Sequence, residues 1–380
     1  MHDRTLLLEP SAASSNLAAT LSGQFDDLHR QVRRGHPAVT RMACALFDSG
    51  DDTVRTFVNS TVDLEPLVRY QCALASVPSL LELAAERRTR TIHDLRDALR
   101  PSSEHSRWLL ERGYRSSYTV PLFRNRDLLA FVFFDSHEPG AFGPALRREL
   151  SLYASVVGLL LNNELTALDT LLGATQLARD LTRMRDVESG DHLERMARYS
   201  RLIARELAPS LGRDDEWVEH LFLFAPLHDI GKIGVPDTIL LKPGRLDPQE
   251  WQAMTRHVLL GSELVERVIA DLGMNGFPNL AMLADIVEFH HERMDGSGYG
   301  RGLRGEQIPI EARIVATADV FDALTTRRPY RPAWPLEEAC AELERMARNG
   351  ALDPRCVRAL LENRSEVEAI RRRFAPPAAG

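Results

Sequence analysis

An α+β domain joined by a long helix to an all-α domain is the fold class predicted for these 380 residues. Three observations predict it. Two pairs of short apolar runs, each split by a polar turn, precede residue 136. Helical periodicity with no strand pattern runs from about residue 180 onward. Between the two, leucines recur at helical spacing. A chain of this length is also too long for one small core and asks for two or three domains.

Taken in order, Ser11 to Leu28 can form a helix, and the period then changes. Thr40 to Phe47 and Thr53 to Asn59 flank Asp48-Ser49-Gly50-Asp51-Asp52, a hairpin composition. Tyr118 to Phe123 and Leu128 to Asp135 flank Arg124-Asn125-Arg126-Asp127, and the run Phe131-Val132-Phe133-Phe134 suits a buried central strand. A helix from about Pro144 to Glu164 closes the unit. This succession resembles the GAF domain, a small α+β sensor module, over about residues 20 to 165.

Leu161, Leu165, Leu168 and Leu172 follow spacings of four, three and four, the seam of a short coiled coil. They predict a signalling helix between domains and a homodimer formed through it; the alternative, leucines packed on their own domain, is open. The expected division is a sensor domain over 1–165, a connecting helix over 166–186 and a helical domain over 187–380. In the last, Asp247-Pro248-Gln249-Glu250 reads as a capping box that starts the helix carrying His257. Leu280 to Glu292 forms a second helix ending at Asp295-Gly296, and Ile310 to Leu324 a third.

Bulk chemistry narrows the function. A net charge of -7 argues against a nucleic-acid duplex as partner but permits a small anionic ligand. Cys44, Cys72, Cys340 and Cys356 are widely spaced and form neither a disulfide framework nor a zinc ribbon, which fits a reducing cytoplasm. No apolar run reaches the roughly 18 to 20 residues of a membrane span, and the N-terminus has no basic-then-apolar signal segment.

The chemistry concentrates in the helical half. His228-Asp229 joins an imidazole, a common ligand of divalent metals, to a carboxylate that can bridge two ions, and Lys232 adds a positive charge suited to phosphate. His192, His257, His290 and His291 lie in the same half, where helical packing can gather them. Glu188 and His192 share a helix face at four-residue spacing, with Gly190 between them at a cost of about 1 kcal/mol relative to alanine. Asp319, a carboxylate among apolar neighbours on a core helix, calls for a cation as partner.

Together Glu188-Ser189-Gly190-Asp191-His192, Leu227 to Asp237, Lys242-Pro243-Gly244, His257 and His290 to Tyr299 resemble the HD-GYP domain. The likeness continues through Ile308-Pro309, Ala312-Arg313-Ile314, Asp319 to Thr325 and Arg328-Pro329-Tyr330-Arg331. It implies a helical, metal-dependent phosphodiesterase that hydrolyses cyclic di-GMP to pGpG and in some members to GMP. It further implies His192, His228, Asp229 and Asp319 as core ligands with Asp229 bridging, His257, His290 and His291 at a second ion, and Glu188 at a third. Two or three divalent ions, iron or manganese, are thereby expected. The likeness assigns the catalytic roles to Asp229 and Lys232, and contact with the substrate to Lys232, Tyr299, Arg328 and Arg331. Paired ions about 3.5 to 4 Å apart suit in-line displacement at a phosphodiester.

The chain departs from the pattern where the family has Gly-Tyr-Pro, because it reads Gly298-Tyr299-Gly300. Exchange of a fixed φ for a permissive residue predicts a less preorganised loop or altered partner binding rather than lost hydrolysis. Two other readings stay open: hydrolysis of a different cyclic dinucleotide, or a module that binds the dinucleotide or a diguanylate cyclase without turnover.

Overall fold

The computed structural model describes residues 20–62, 66–98, 104–182, 190–271, 279–326 and 333–374. The chain divides into two compact units, residues 1–166 and 167–380.

The first unit is α+β. Helix α1 (Leu21–Gly35) opens on Thr20, whose hydroxyl accepts from the Gly23 N–H, and runs beyond the expected end at Leu28. The residues expected to be helical before Thr20 lie outside those described. Strands β1 (Arg41–Asp48) and β2 (Thr53–Thr61) form the first predicted hairpin. Then come β3 (Gln71–Ala73), α2 (Pro78–Glu86), β4 (Arg90–Ile92), α3 (Leu95–Ala98) and α4 (Glu104–Glu111). Strands β5 (Ser116–Arg124) and β6 (Asp127–Ser136) form the second hairpin, and α5 (Pro144–Thr182) follows.

The six strands make one antiparallel sheet in the order β3-β2-β1-β6-β5-β4. Pairing of β1 with β6 sets Arg41 opposite Asp135 and Cys44 opposite Val132. One face, with Met42, Val120, Val132 and Phe134, is covered by Phe25 of α1 and by Leu150, Val157 and Leu161 of α5. The other, with Ala45, Val54 and Phe133, is covered by Leu80 and Leu83 of α2. Burial on both faces explains why β1 and β6 read as continuous apolar runs rather than alternating ones.

Helix α5 runs from Pro144 to Thr182 with no break near Glu164, where the closing helix was expected to end and a connecting helix over 166–186 to follow. Leu161 is fully buried in the first unit's own core and so is not available to an intermolecular seam. The side chains of Leu168 and Leu172 lie outside those described.

The second unit is helical: α6 (Gly190–Leu211), α7 (Asp215–Phe224), α8 (Asp237–Leu240), α9 (Pro248–Thr255), α10 (His257–Asp271), α11 (Leu280–Phe289), α12 (Ile310–Thr325), α13 (Leu336–Arg348), α14 (Pro354–Glu362) and α15 (Arg364–Arg373). Its core gathers Tyr199, Phe224, Ile286, Ile314 and Phe321. Two expected boundaries are corrected. The capping box at Asp247 is present, but α9 ends at Thr255 and His257 opens a new helix, because the chain turns at Arg256. Helix α11 stops at Phe289, where the apolar periodicity ends, and His290 is its cap.

Candidate metal centre

The functional side chains come from the ends of helices and the turns between them. Residues 225–227 and 230–234 form two tight turns around His228 and Asp229. The second turn lies against α10 so closely that a Cβ on Gly231 would sit 1.9 Å from the His257 carbonyl oxygen and 2.4 Å from the Gly261 nitrogen. Glycine at 231 and 261 is therefore what brings Asp229 beside His257.

Two groups of ligand atoms result, each with its members within 4.8 Å of one another: Asp229, His257, His290 and His291, and His192, His228 and Asp319. They adjoin through the dipeptide, since His228 Nε2 lies 3.1 Å from Asp229 Oδ2. Asp319 keeps partial contact with solvent, 22% for its side chain, and is thus less enclosed than its apolar sequence neighbours imply. Glu188, Arg328 and Arg331 lie outside the described residues.

Three of the rings are oriented from behind by backbone carbonyls. Nδ1 of His228 donates to the Ala225 carbonyl at 3.0 Å, that of His257 to the Met254 carbonyl at 2.9 Å and that of His290 to the Ile286 carbonyl at 3.0 Å. A carbonyl only accepts, so Nδ1 carries the hydrogen and Nε2 presents a lone pair in the neutral ring. Burial holds His290 below the usual imidazole range and His291 well below it, so those two rings are neutral. The His257 and His290 Nε2 atoms lie 3.1 and 3.6 Å from Asp229 Oδ1, and none of the three atoms, all buried, has a hydrogen-bond partner among the described residues. Lone pairs facing a carboxylate oxygen repel unless a cation lies among them, so these residues fit a divalent ion.

Asp229 is drawn two ways. Burial raises its pKa, but the Lys232 ammonium, with Nζ at 2.7 Å from Oδ2, acts against that, and the carboxyl is held well below its usual range. The group is a carboxylate anion at neutral pH.

Sequence reasoning passed over three residues here. Asp322, fully buried on α12, accepts from His192 Nδ1 at 2.7 Å and from Arg195 Nε at 2.6 Å. Its position three residues after Asp319 was the available signal. Trp251 on α9, 53% exposed, stands edge-on to Tyr299 with ring centroids 5.9 Å apart, and Tyr299 in turn lies 4.6 Å from His291. Tyr299 thus forms an aromatic wall over the group of Asp229, His257, His290 and His291. Glu292, buried, accepts from the Arg301 and Gly302 amides and holds the loop that follows Tyr299.

Gly300 within that loop has φ +130°, and an added Cβ would lie 3.1 Å from both the Glu288 carbonyl oxygen and Glu292 Oε1. Proline, fixed near -65°, cannot take this conformation. The loop is built on glycine and on the Glu292 hydrogen bonds.

Residues 184–356 match the HD domain family. The chain is similar to the cyclic di-GMP phosphodiesterase response regulator RpfG of Xanthomonas campestris pv. campestris, at 46% identity over 206 residues, 54% of this chain and 51% of that protein. It is also similar to 3'3'-cGAMP-specific phosphodiesterase 2 of Vibrio cholerae serotype O1, at 37% identity over 257 residues, 64% of this chain and 47% of that protein. The chain spans about half the length of these curated relatives. A solved structure of a GAF domain/HD domain protein from Geobacter sulfurreducens aligns with 40% of this chain and 96% of that one, at 16% identity and a TM-score of 0.31. Among the described residues no helix is long and apolar enough to cross a membrane.

Proposed function

We propose, from the match of residues 184–356 to the HD domain family, that the chain is a metal-dependent phosphodiesterase that opens cyclic di-GMP to pGpG, with GMP as the product of a second cut. The observation that carries this reading is the pair of adjoining ligand groups with buried imidazole lone pairs turned toward Asp229.

His192, His228 and Asp319 would hold one ion, and His257, His290 and His291 a second, with Asp229 between them. Bound divalent ions supply Lewis acidity that activates water and offsets charge on the phosphoryl oxygens. Iron or manganese suits a donor set rich in imidazole with carboxylates, and Glu188 is assigned to a third ion on the family likeness. Asp229 and Lys232 are assigned the catalytic roles: Asp229 joins the two groups, and the Lys232 ammonium, beside it, can bind a phosphate oxygen and offset charge on the departing ribose oxygen. Tyr299 offers a ring to a base or ribose, and Arg328 and Arg331 are assigned to the second phosphate on the family likeness.

The first unit is proposed to act as a GAF-type sensor connected through α5. Leu152, Val156 and Leu159 are exposed on one stripe of that helix, and a homodimer is proposed to form there rather than at the Leu161 seam. Association with a diguanylate cyclase and a cytoplasmic location complete the reading.

The test is incubation of iron- or manganese-loaded protein with cyclic di-GMP, followed by chromatography. Accumulation of pGpG or GMP is expected, and none with metal confirmed bound overturns the proposal. The likeness to a 3'3'-cGAMP-specific relative supports a second reading, and cleavage of that dinucleotide alone would select it.

A further inference from the structure

The first unit contains a cavity of its own, between the sheet face bearing Val54 and Phe133 and the segment formed by α2, β4 and α4. It encloses about 70 Å³, several times the roughly 10 to 15 Å³ that a single water needs. Its walls are mainly apolar, supplied by side chains such as Val54, Leu80, Leu109 and Phe133. The charged side chains that line it are both cationic: Arg41 and Arg90 are present, and no Asp or Glu is among the described lining residues.

The two arginines are not equivalent. Arg41 forms an ion pair with Asp135 in which both partners are buried, and its guanidinium lies 5.1 Å from the Trp108 ring centroid. Its charge is matched. Arg90, on the three-residue edge strand β4, makes no side-chain hydrogen bond or ion pair with a described residue, and its Nε is buried without a partner. The nearby carboxylates are engaged elsewhere, Asp135 by Arg41 and Glu82 by Arg88. His105, against Phe133 at 5.6 Å, adds no second charge, since burial lowers its pKa to about 4.

An apolar chamber therefore carries a half-buried guanidinium with no ion pair of its own among the described residues. Such a charge is costly when poorly solvated, and a single negative charge offsets it, whereas a dianion would leave a net charge behind. We propose that this cavity binds a small organic acid, its one carboxylate paired with Arg90 and its apolar body packed against Leu80 and Phe133. The planar guanidinium fork matches a carboxylate in two parallel hydrogen bonds.

Calorimetric titration of the full chain with hexanoate and with phenylacetate tests this, with 1-hexanol and phenyl phosphate for comparison. Saturable binding of at least one acid, about tenfold or more tighter than 1-hexanol, is expected. Arg90→Gln should abolish that preference. Ser79→Phe, which adds a ring at another lining position, should abolish binding while leaving the circular dichroism melt in place. The proposal is overturned by equal affinity for 1-hexanol, by tighter binding of phenyl phosphate than of either acid, by undiminished binding in both variants, or by no saturation at about 10 mM of either acid.

Discussion

Asp322 orients His192 rather than meeting any ion itself, because its carboxylate is committed to the ring's Nδ1–H and to Arg195. Replacement by Asn keeps the size but removes the charge that both donors face. Asp322→Asn is expected to weaken metal binding at the His192 group by about 10- to 100-fold, read by metal titration with competition against a chelator. Asp285 carries the opposite kind of information. Burial, then the charges of Glu311 and Glu288, push its carboxyl up to about 6. A folded pKa above the unfolded value means that the native state holds the proton more tightly. The stability gained is complete below about pH 4 and is lost as pH rises through about 6. Asp285→Asn should therefore stabilise the protein by about 1 kcal/mol at pH 7.5, the figure reduced for partial exposure, and by almost nothing at pH 4. Denaturant melts at the two pH values check it; equal effects at both would remove Asp285 as a source of strain.

At the scale of elements, the centre depends on how closely the turn 230–234 approaches α10. Gly231→Ala drives a methyl group into the His257 carbonyl and the Gly261 backbone. Overpacking of this kind costs about 1 to 3 kcal/mol, and here relief requires Asp229 and His257 to separate. A lowered melting temperature together with lost metal stoichiometry is the expected result. Elements of this size were legible in the sequence wherever the signal was local. Both hairpins were, because turn residues bracket continuous apolar runs, and so was the Asp247 capping box. The strands β3 and β4, of three residues each, have too little pattern to show. The candidate ligands that the structure gathers, from His192 to Asp319, were named from motif, yet the orienting role of Asp322 was not, because its partner His192 is 130 residues away in the chain. Nor was the cavity legible, since only strand register places Arg41 beside Asp135 and leaves Arg90 alone.

For the whole molecule, the two units have separate cores, and the ligand atoms gathered around Asp229 and His228 all belong to the second. Metal bound to the folded state alone adds stability only where it binds, about 2.7 kcal/mol at a hundredfold excess over Kd. Calorimetric melting before and after chelation is expected to lower the transition of the helical unit and leave that of the sheet unit in place. A single transition that shifts as one would show instead that the units unfold together.

The backbone contact at Gly231 and Gly261 leaves no gap for water between the two segments it joins. Neither segment can breathe alone: an opening that exposes the amides of 229–232 must also lift the first turn of α10. Asp229, Lys232 and His257 then form one cooperative unit in hydrogen exchange, and the centre is either whole or absent rather than partly assembled.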